Sequence, residues 1–219
     1  MNNEYQKNGY IILKNIFNKN TIKKCQEEII KYTQLNKTIK NAQGITIPDF
    51  MSRKGFENTI LLKENEKIHE ALKIILNGDD YRFCGHNDIG INRVVGWHKD
   101  KLNNIYSKFE TINIWNTHEG QKHEIVKVLI YLEDHSNDNS GLKLIPGSHL
   151  NSNIKIENVK QLKPELGDVI IFDQRITHRG MDKQMDGTRI LVSFGFGKNN
   201  IFTDNFEKGT IQRQNDQNK

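Results

Sequence analysis

Hydrophobic residues recur at helical spacing in the first third of the chain and at strand spacing after Gly78. Two amphipathic helices are predicted, near 20–34 and from about 64 to 77, and Gly78 stands where a helix commonly ends. Segment 8–17 has the composition of a short strand, and the weakly periodic segment 37–62 is expected to be a long loop. The N-terminal part is therefore predicted to be mainly helical.

Short strands separated by Asn-, Asp- and Gly-rich turns are predicted for the remainder. The candidate strands are 81–94, 97–101, 109–117, 124–133, 142–146, 168–173, 176–179 and 188–197. Strands that follow helices in this order predict an α+β fold, in which an antiparallel sandwich or barrel carries N-terminal flanking helices. We expect one domain over 1–207 and a polar C-terminal tail, 208–219, that frays.

Composition narrows the class of partner. The 219 residues suffice for one well-buried domain, and the formal net charge is +5 with an isoelectric point near 9.0. The basic residues do not form a tract, which argues against a nucleic-acid partner and leaves a polar or anionic small molecule open. Two cysteines, a polar N-terminus and no apolar run of membrane-spanning length predict a cytoplasmic protein without membrane contact.

A His-x-Asp pair occurs twice, as His86-Asn87-Asp88 and as His98-Lys99-Asp100. Residues i and i+2 of a strand point to the same side, so either pair can present an imidazole and a carboxylate to one metal ion. A histidine from a distant strand would complete the two-histidine, one-carboxylate set of non-haem iron oxygenases. The spacing alone leaves both pairs open.

The segment GDVIIFDQRITHRG (167–180) offers the third ligand, His178. Arg189 follows eleven residues later at the start of an apolar strand, where its guanidinium could hold the free carboxylate of a 2-oxoacid. Each residue alone has an ordinary explanation, a structural histidine or a surface ion-pair partner. Their joint spacing after a His-x-Asp pair is the informative observation.

Three sequence motifs occur in order, WHKD (97–100), GLKLIPGSH (141–149) and 167–180 followed by Arg189, after an opening NGYIILKNIF. In these motifs the chain resembles the phytanoyl-CoA dioxygenase (PhyH-like) family of Fe(II)/2-oxoglutarate-dependent oxygenases. The resemblance implies a double-stranded β-helix (jelly-roll, cupin-like) core. It also implies Fe(II) at the family's His-x-Asp and distal His positions, with 2-oxoglutarate on the downstream arginine. Carried across residue by residue, these positions are His98, Asp100, His178 and Arg189.

The resemblance favours His98 over His86, because the family's ligand pair follows an irregular stretch such as 94–97. His86, Asp88 and Asn92 share one face of a continuous strand. We interpret that face as the pocket wall and its residues as substrate contacts. The alternative is that the face is exposed to solvent.

Four further residues are candidates for the site. Lys127, Tyr131 and Ser193 could assist Arg189 in binding 2-oxoglutarate, although a lysine on a solvent face is the commoner case. Arg179, beside His178, could recognise an anionic substrate group, and an ion pair with a nearby aspartate is its alternative.

With Asp100 present, the resemblance implies hydroxylation of a small molecule by O2, coupled to decarboxylation of 2-oxoglutarate to succinate and CO2. Two alternatives remain at this point: an oxygenase acting on nucleic acid or protein, and a non-catalytic β-helix domain that binds a metal or ligand. The sequence specifies neither the substrate nor the oligomeric state.

Overall fold

The computed structural model describes residues 1–41, 43–181 and 187–218. The helices are α1 (Asn2–Asn8), α2 (Lys19–Leu35), α3 (Glu57–Leu61), α4 (Glu66–Ile75) and α5 (Ile201–Gln217). The strands are β1 (Tyr10–Leu13), β2 (Ile39–Asn41), β3 (Gly44–Pro48), β4 (Tyr81–Ile91), β5 (Ile125–Tyr131), β6 (Lys143–Leu144), β7 (Lys160–Gln161), β8 (Val169–Asp173), β9 (His178–Arg179) and β10 (Ile190–Lys198). The predicted helices 20–34 and 64–77 are confirmed as α2 and α4.

The strands form two antiparallel sheets. The larger has the order β1-β8-β5-β10-β4-β3-β2, and the smaller has the order β7-β6-β9. The neighbours from β1 through β8, β5 and β10 to β4 are distant in the chain, as in a jelly roll, whereas β2, β3 and β4 are consecutive strands. The predicted α+β class with a jelly-roll core is confirmed.

Strand β5 separates two cores, because its side chains alternate between the faces of the larger sheet. Val126, Val128 and Ile130 pack in the cluster that joins this sheet to α2 and α4. Leu129 and Tyr131 belong to a second cluster, which lies between the two sheets. Helices α2 and α4 thus cover one face of the larger sheet, and the site forms on the other face.

Several predicted elements are wrong. Segment 37–62 contains β2, β3 and α3, because β3 pairs with β4 and thereby gains a partner that local periodicity does not reveal. Segments 97–101 and 109–117 do not form strands. Residues of 109–117 instead pack against α5, where Ile114 joins Phe202 and Phe206 in a third apolar cluster.

The C-terminal tail does not fray, since α5 continues to Gln217. Its buried positions beyond residue 207 are Gly209, Thr210 and Gln214, which give no apolar stripe to read in the sequence. Gly209 lies so close to Leu102 that an added Cβ would be 2.3 Å from its Cδ1. In the part of the chain that the structure describes, no helix has the length and apolar character needed to cross a membrane.

Candidate active site

A cavity of about 250 Å³ lies on the face of the larger sheet opposite α2 and α4. Its walls come from alternate residues of three adjacent strands and from the smaller sheet. The strand residues are His86 and Asp88 of β4, Lys127 and Leu129 of β5, and Leu191 and Ser193 of β10. The period of two along each strand therefore brings the polar residues of three strands into one space.

His98, Asp100 and His178 meet in this cavity. His98 and His178 form an isolated antiparallel bridge in which each backbone N–H donates to the other's carbonyl at 2.9 Å. Asp100 is anchored two residues further on, where its N–H donates to the carbonyl of Gln174 at 3.0 Å. One bridge thus brings together segments that are 80 residues apart.

The ligand atoms of these three residues lie within 4.8 Å of one another. His98 Nε2 is 3.3 Å from Asp100 Oδ1, and His178 Nε2 is 3.6 Å from Asp100 Oδ2. No other group of three or more His, Cys, Asp or Glu within 1–41, 43–181 and 187–218 converges in this way. The set offers two nitrogens and one carboxylate, which fits ferrous iron.

Both imidazoles are oriented by the same backbone contact. His98 Nδ1 is 2.7 Å from the carbonyl oxygen of Gly96, and His178 Nδ1 is 3.0 Å from that of Ile176. A carbonyl only accepts, so each Nδ1 carries the proton and donates it. Each Nε2 therefore keeps its lone pair for a metal ion, as metal-ligating histidines require.

The ionisation of the group also suits a cation. Burial alone would raise the pKa of Asp100, but Lys127, whose Nζ is 3.1 Å from Oδ2, together with His178 and His98 outweighs burial, and the pKa lies well below its usual range. Burial lowers the pKa of His178 to about 4. At neutral pH Asp100 is therefore charged and His178 neutral, the forms that bind metal.

The other His-x-Asp pair lies in the wall of the same cavity. A bulge in β4, where Gly85 has a positive φ of 80°, turns His86 so that its Nε2 lies 3.2 Å from Lys127 Nζ. Ser193 Oγ is 3.1 Å from the same nitrogen and donates to the carbonyl of Asp88 at 3.0 Å. Burial and the charge of Lys127 lower the pKa of His86 to about 3, so it is neutral.

Arg189 lies on the cavity wall and is only 1% exposed. It donates from Nη2 to Tyr131 Oη at 2.9 Å, and its buried Nε has no partner. Within the described residues no carboxylate lies within ion-pair distance of its guanidinium. A buried guanidinium without a counter-ion provides a place for an external anion.

Two predicted substrate contacts point elsewhere. Asn92, in the left-handed conformation (φ 51°) at the end of β4, accepts from the backbone N–H of Arg189 at 2.7 Å and donates to the carbonyl of Gly187 at 3.0 Å. Arg179 follows His178 on β9 and so faces the opposite side, with its guanidinium carbon 5.7 Å from the centre of the Trp97 ring. Neither side chain lines the cavity.

Two arginines of the cavity were missed from the sequence. Arg93, just after β4, and Arg213, on α5, both line it. Arg213 Nη2 donates to Asp88 Oδ2 at 2.8 Å. No spacing rule signals Arg213, because α5 reaches the site from the far end of the chain.

The fold and this cavity define a protein of the cupin-type non-haem iron oxygenase class. A family model described as phytanoyl-CoA dioxygenase (PhyH) matches residues 5–190, and the chain belongs to that family. The family uses Fe(II) and 2-oxoglutarate. No curated protein sequence matches the chain significantly.

Solved structures with the same fold include HygX from Streptomyces hygroscopicus with nickel and 2-oxoglutarate bound, with a TM-score of 0.68 and 15% identity over 89% of this chain and 85% of that one. The α-ketoglutarate-dependent epimerase SnoN of nogalamycin biosynthesis has a TM-score of 0.69 and 14% identity over 90% of this chain and 80% of that one. AviO1 from Streptomyces viridochromogenes Tue57 has a TM-score of 0.66 and 15% identity over 90% of this chain and 93% of that one. At this identity the likeness establishes the fold.

Proposed function

We propose that His98, Asp100 and His178 bind Fe(II) in an oxygenase that hydroxylates a small molecule. The observation that carries the proposal is the convergence of ligand atoms from two histidines and one aspartate within 4.8 Å of one another. A facial set of three protein ligands leaves coordination positions for a co-substrate and O2.

Arg189 is proposed to bind the distal carboxylate of 2-oxoglutarate, with the hydroxyl of Tyr131 beside it. The support is its burial without a carboxylate partner in the described residues and its place on the same cavity wall as the three ligands. Binding a dianion there would supply the missing counter-ion and form charge-assisted hydrogen bonds. Lys127 and Ser193 line the same cavity and would also contact the co-substrate.

Bound Fe(II) and 2-oxoglutarate would supply the oxidation of a substrate C–H bond by O2, coupled to decarboxylation of 2-oxoglutarate to succinate and CO2. In the hydroxylation, one oxygen atom of O2 enters succinate and the other enters the alcohol. The residues of this chain would hold the substrate C–H bond in place and exclude competing reactions. A cavity of about 250 Å³ favours a small molecule over a macromolecule.

The test is an anaerobic titration of the Fe(II)-loaded protein with 2-oxoglutarate, followed through the weak visible band of an iron-bound 2-oxoacid. The wild type should develop the band, and His98→Ala and His178→Ala should lose it. His86→Ala should keep it, because His86 contacts Lys127 and Ser193 and not the ligand cluster. A folded wild-type protein without the band would refute the proposal, and loss in His86→Ala alone would assign the metal to the other pair.

One observation favours a second reaction. SnoN, which shares the fold, is an epimerase. The alternative reaction is therefore an epimerisation, in which a stereocentre of the substrate is inverted and no oxygen atom is added to it. Turnover under ¹⁸O₂ separates the two reactions, since only hydroxylation leaves the label in the product formed from the substrate, apart from the label in succinate. A non-catalytic binding domain would show the band without consuming 2-oxoglutarate in air.

A further inference from the structure

The cavity has more positive than negative side chains. Its wall has four cationic residues, Arg93, Lys127, Arg189 and Arg213, and two carboxylates, Asp88 and Asp100. Both carboxylates have charged partners, since Asp100 pairs with Lys127 at 3.1 Å and Asp88 pairs with Arg213 at 2.8 Å. Fe(II) and 2-oxoglutarate carry two charges each of opposite sign, so binding both leaves the excess unchanged.

Under the proposed function, 2-oxoglutarate is the counter-ion of Arg189. Arg93 is then the cationic residue of the cavity wall that still needs a counter-ion. It is half-buried, and within 1–41, 43–181 and 187–218 no carboxylate lies within ion-pair distance of it. Its Nη1 donates to the hydroxyl of Thr46, a neutral partner. Burial lowers the pKa of Arg93, the charge of Asp88 partly offsets this effect, and the charge of Arg213 lowers the pKa further.

The backbone around Arg93 directs its side chain into the cavity. Gly90 lies directly beneath it, and a Cβ there would be 2.9 Å from Arg93 Cγ. Gly90 also pairs with Leu191 of β10 and Thr46 of β3, so it cannot move away without disturbing both ladders. The missing side chain at Gly90 therefore lets the aliphatic part of Arg93 fold across the sheet.

Arg213 approaches the same space from α5. Besides its bond to Asp88, its Nη1 donates to Gln217 Oε1 at 2.7 Å, and Gln217 also lines the cavity. A second cavity of about 290 Å³ under α5 shares Arg93 and Arg213 and adds Lys101. The two guanidiniums thus stand at the junction of the two cavities, with a further ammonium nearby.

We propose that Arg93 and Arg213 form an anion-binding subsite for the oxidised substrate, which is therefore an anionic small molecule. This inference rests on the proposed function, because it treats Arg189 as matched by 2-oxoglutarate. The group bound is a carboxylate or a tetrahedral oxyanion such as a phosphate or sulfate ester, since guanidinium pairs recognise both. Substrate binding lowers the positive charge excess of the cavity by the charge of the bound group, and a neutral analogue leaves that excess unchanged.

The test uses the full-length protein loaded with Zn(II) and 2-oxoglutarate, a diamagnetic and oxygen-stable complex. The side-chain Nε–H resonances of its arginines are followed by NMR while sulfate or acetate is added at constant ionic strength. The resonances of Arg93 and Arg213 should shift together along one binding curve. The anion that binds more tightly indicates whether the subsite recognises a carboxylate or a tetrahedral oxyanion. Acetamide, which is neutral, should shift neither resonance.

Arg93→Gln should weaken anion binding about tenfold or more, because one charge-assisted contact is lost. Arg213→Gln should do the same. Arg82→Gln is the matched control: Arg82 ties β4 to Asp204 and Glu207 of α5 but lies outside both cavities, so the affinity should stay within about twofold.

Two failures are distinguishable. If 2-oxoglutarate does not shift the Arg189 resonance, the proposed co-substrate site is wrong. If 2-oxoglutarate shifts Arg189 but neither anion shifts Arg93 and Arg213, or Arg93→Gln binds as well as the wild type, the anion subsite is overturned and the proposed function stands.

Discussion

His98 and His178 exchange both of their backbone hydrogen bonds, at 2.9 Å each, and their imidazole rings lie 4.3 Å apart. His178 also pairs with Leu144 in the smaller sheet, whereas His98 lies outside the strands, so this single bridge attaches the first ligand to the edge of that sheet. Two ligands of the proposed metal centre are thus positioned by direct contact between their own backbones. A metal ion bound to both imidazoles would reinforce that contact.

We therefore expect metal to stabilise the fold. At a free metal concentration one hundred times the dissociation constant, binding to the native state alone adds about 2.7 kcal/mol to the free energy of unfolding. The measurement is urea unfolding of the chelator-treated protein with and without Zn(II). His98→Ala should show no metal-dependent shift, and an equal shift in that variant would place the metal elsewhere.

Arg189→Met should increase the free energy of unfolding and weaken the binding of 2-oxoglutarate. The guanidinium is 1% exposed and has no carboxylate partner in the described part of the chain, so its desolvation is uncompensated in the cofactor-free protein. Replacing it with an apolar side chain of similar length should raise the free energy of unfolding by about 1–4 kcal/mol. The same change should weaken 2-oxoglutarate binding at least roughly a hundredfold.

Calorimetry with 2-oxoglutarate and urea unfolding of the metal-free protein measure the two effects separately. Lys14, whose ammonium is half-exposed and paired with Asp168, provides the matched control. Lys14→Met should lose stability and leave 2-oxoglutarate affinity unchanged. A less stable Arg189→Met would show that the guanidinium is better compensated than its contacts indicate.

Local pattern was enough to predict which residues share one face of a strand, although it left open whether that face is buried or exposed to solvent. His86 and Asp88 follow the period of two along β4, and Lys127 and Tyr131 follow it along β5. The pairing of strands was not predictable in this way, because partners such as β3 and β4 are chosen by burial across the whole domain. The resemblance to a known family supplied the order of motifs that local pattern lacked.

Arg213, which was missed from the sequence, and Asn92, which was assigned to the wrong face, have different physical causes. Arg213 reaches the cavity only because α5 docks on β4, and that helix buries Thr210 and Gln214 where an apolar stripe would be expected. Asn92 was predicted to lie on the pocket face because the strand was extended one residue too far; its positive φ ends the alternation of side chains. Tertiary packing and a local change of backbone conformation each override periodicity.

Gly195→Ala should damage the bulge that presents His86. A Cβ at Gly195 would lie 2.8 Å from Cys84 Sγ and 2.9 Å from His86 Cβ, and both of these residues are buried in the bulge between the paired residues Phe83 and Asn87. We expect a loss of about 1–3 kcal/mol, the usual cost of overpacking. Gly96→Ala is the control, because nothing lies within 4 Å of its added Cβ and the loss should stay below about 0.5 kcal/mol. Urea unfolding of metal-free protein measures both, and equal losses would contradict the steric argument.

His123 should make the stability fall in mild acid. Burial lowers its pKa to about 4, so the folded protein keeps it neutral while the unfolded chain protonates it near its ordinary pKa of about 6.5. The unfolded state then binds more protons between these values, and stability decreases as the pH falls through that window. From pH 7 to pH 5 this histidine should cost the wild type about 2 kcal/mol.

The variant His123→Gln isolates this effect, because glutamine can still bond to Gln174, whose Oε1 lies 2.9 Å from His123 Nε2. The difference in free energy of unfolding between wild type and variant should move by about 2 kcal/mol in favour of the variant from pH 7 to pH 5. A difference that does not change with pH would mean that His123 has the same pKa in the folded and unfolded states. Urea unfolding at the two pH values is sufficient.

The ion pair between Arg213 and Asp88 should show strong coupling in a double-mutant cycle. Their side chains are 23% and 15% exposed, and Asp88 also accepts from the backbone N–H of Asp49 and from Gln214, each at 3.3 Å. Arg213→Met leaves the carboxylate with these weaker partners, and we expect a loss of about 1–3 kcal/mol. Adding Asp88→Asn removes the unpaired charge and should recover at least half of that loss. If the two single losses simply add, the pair has no coupling energy and does not attach α5 to the cavity wall.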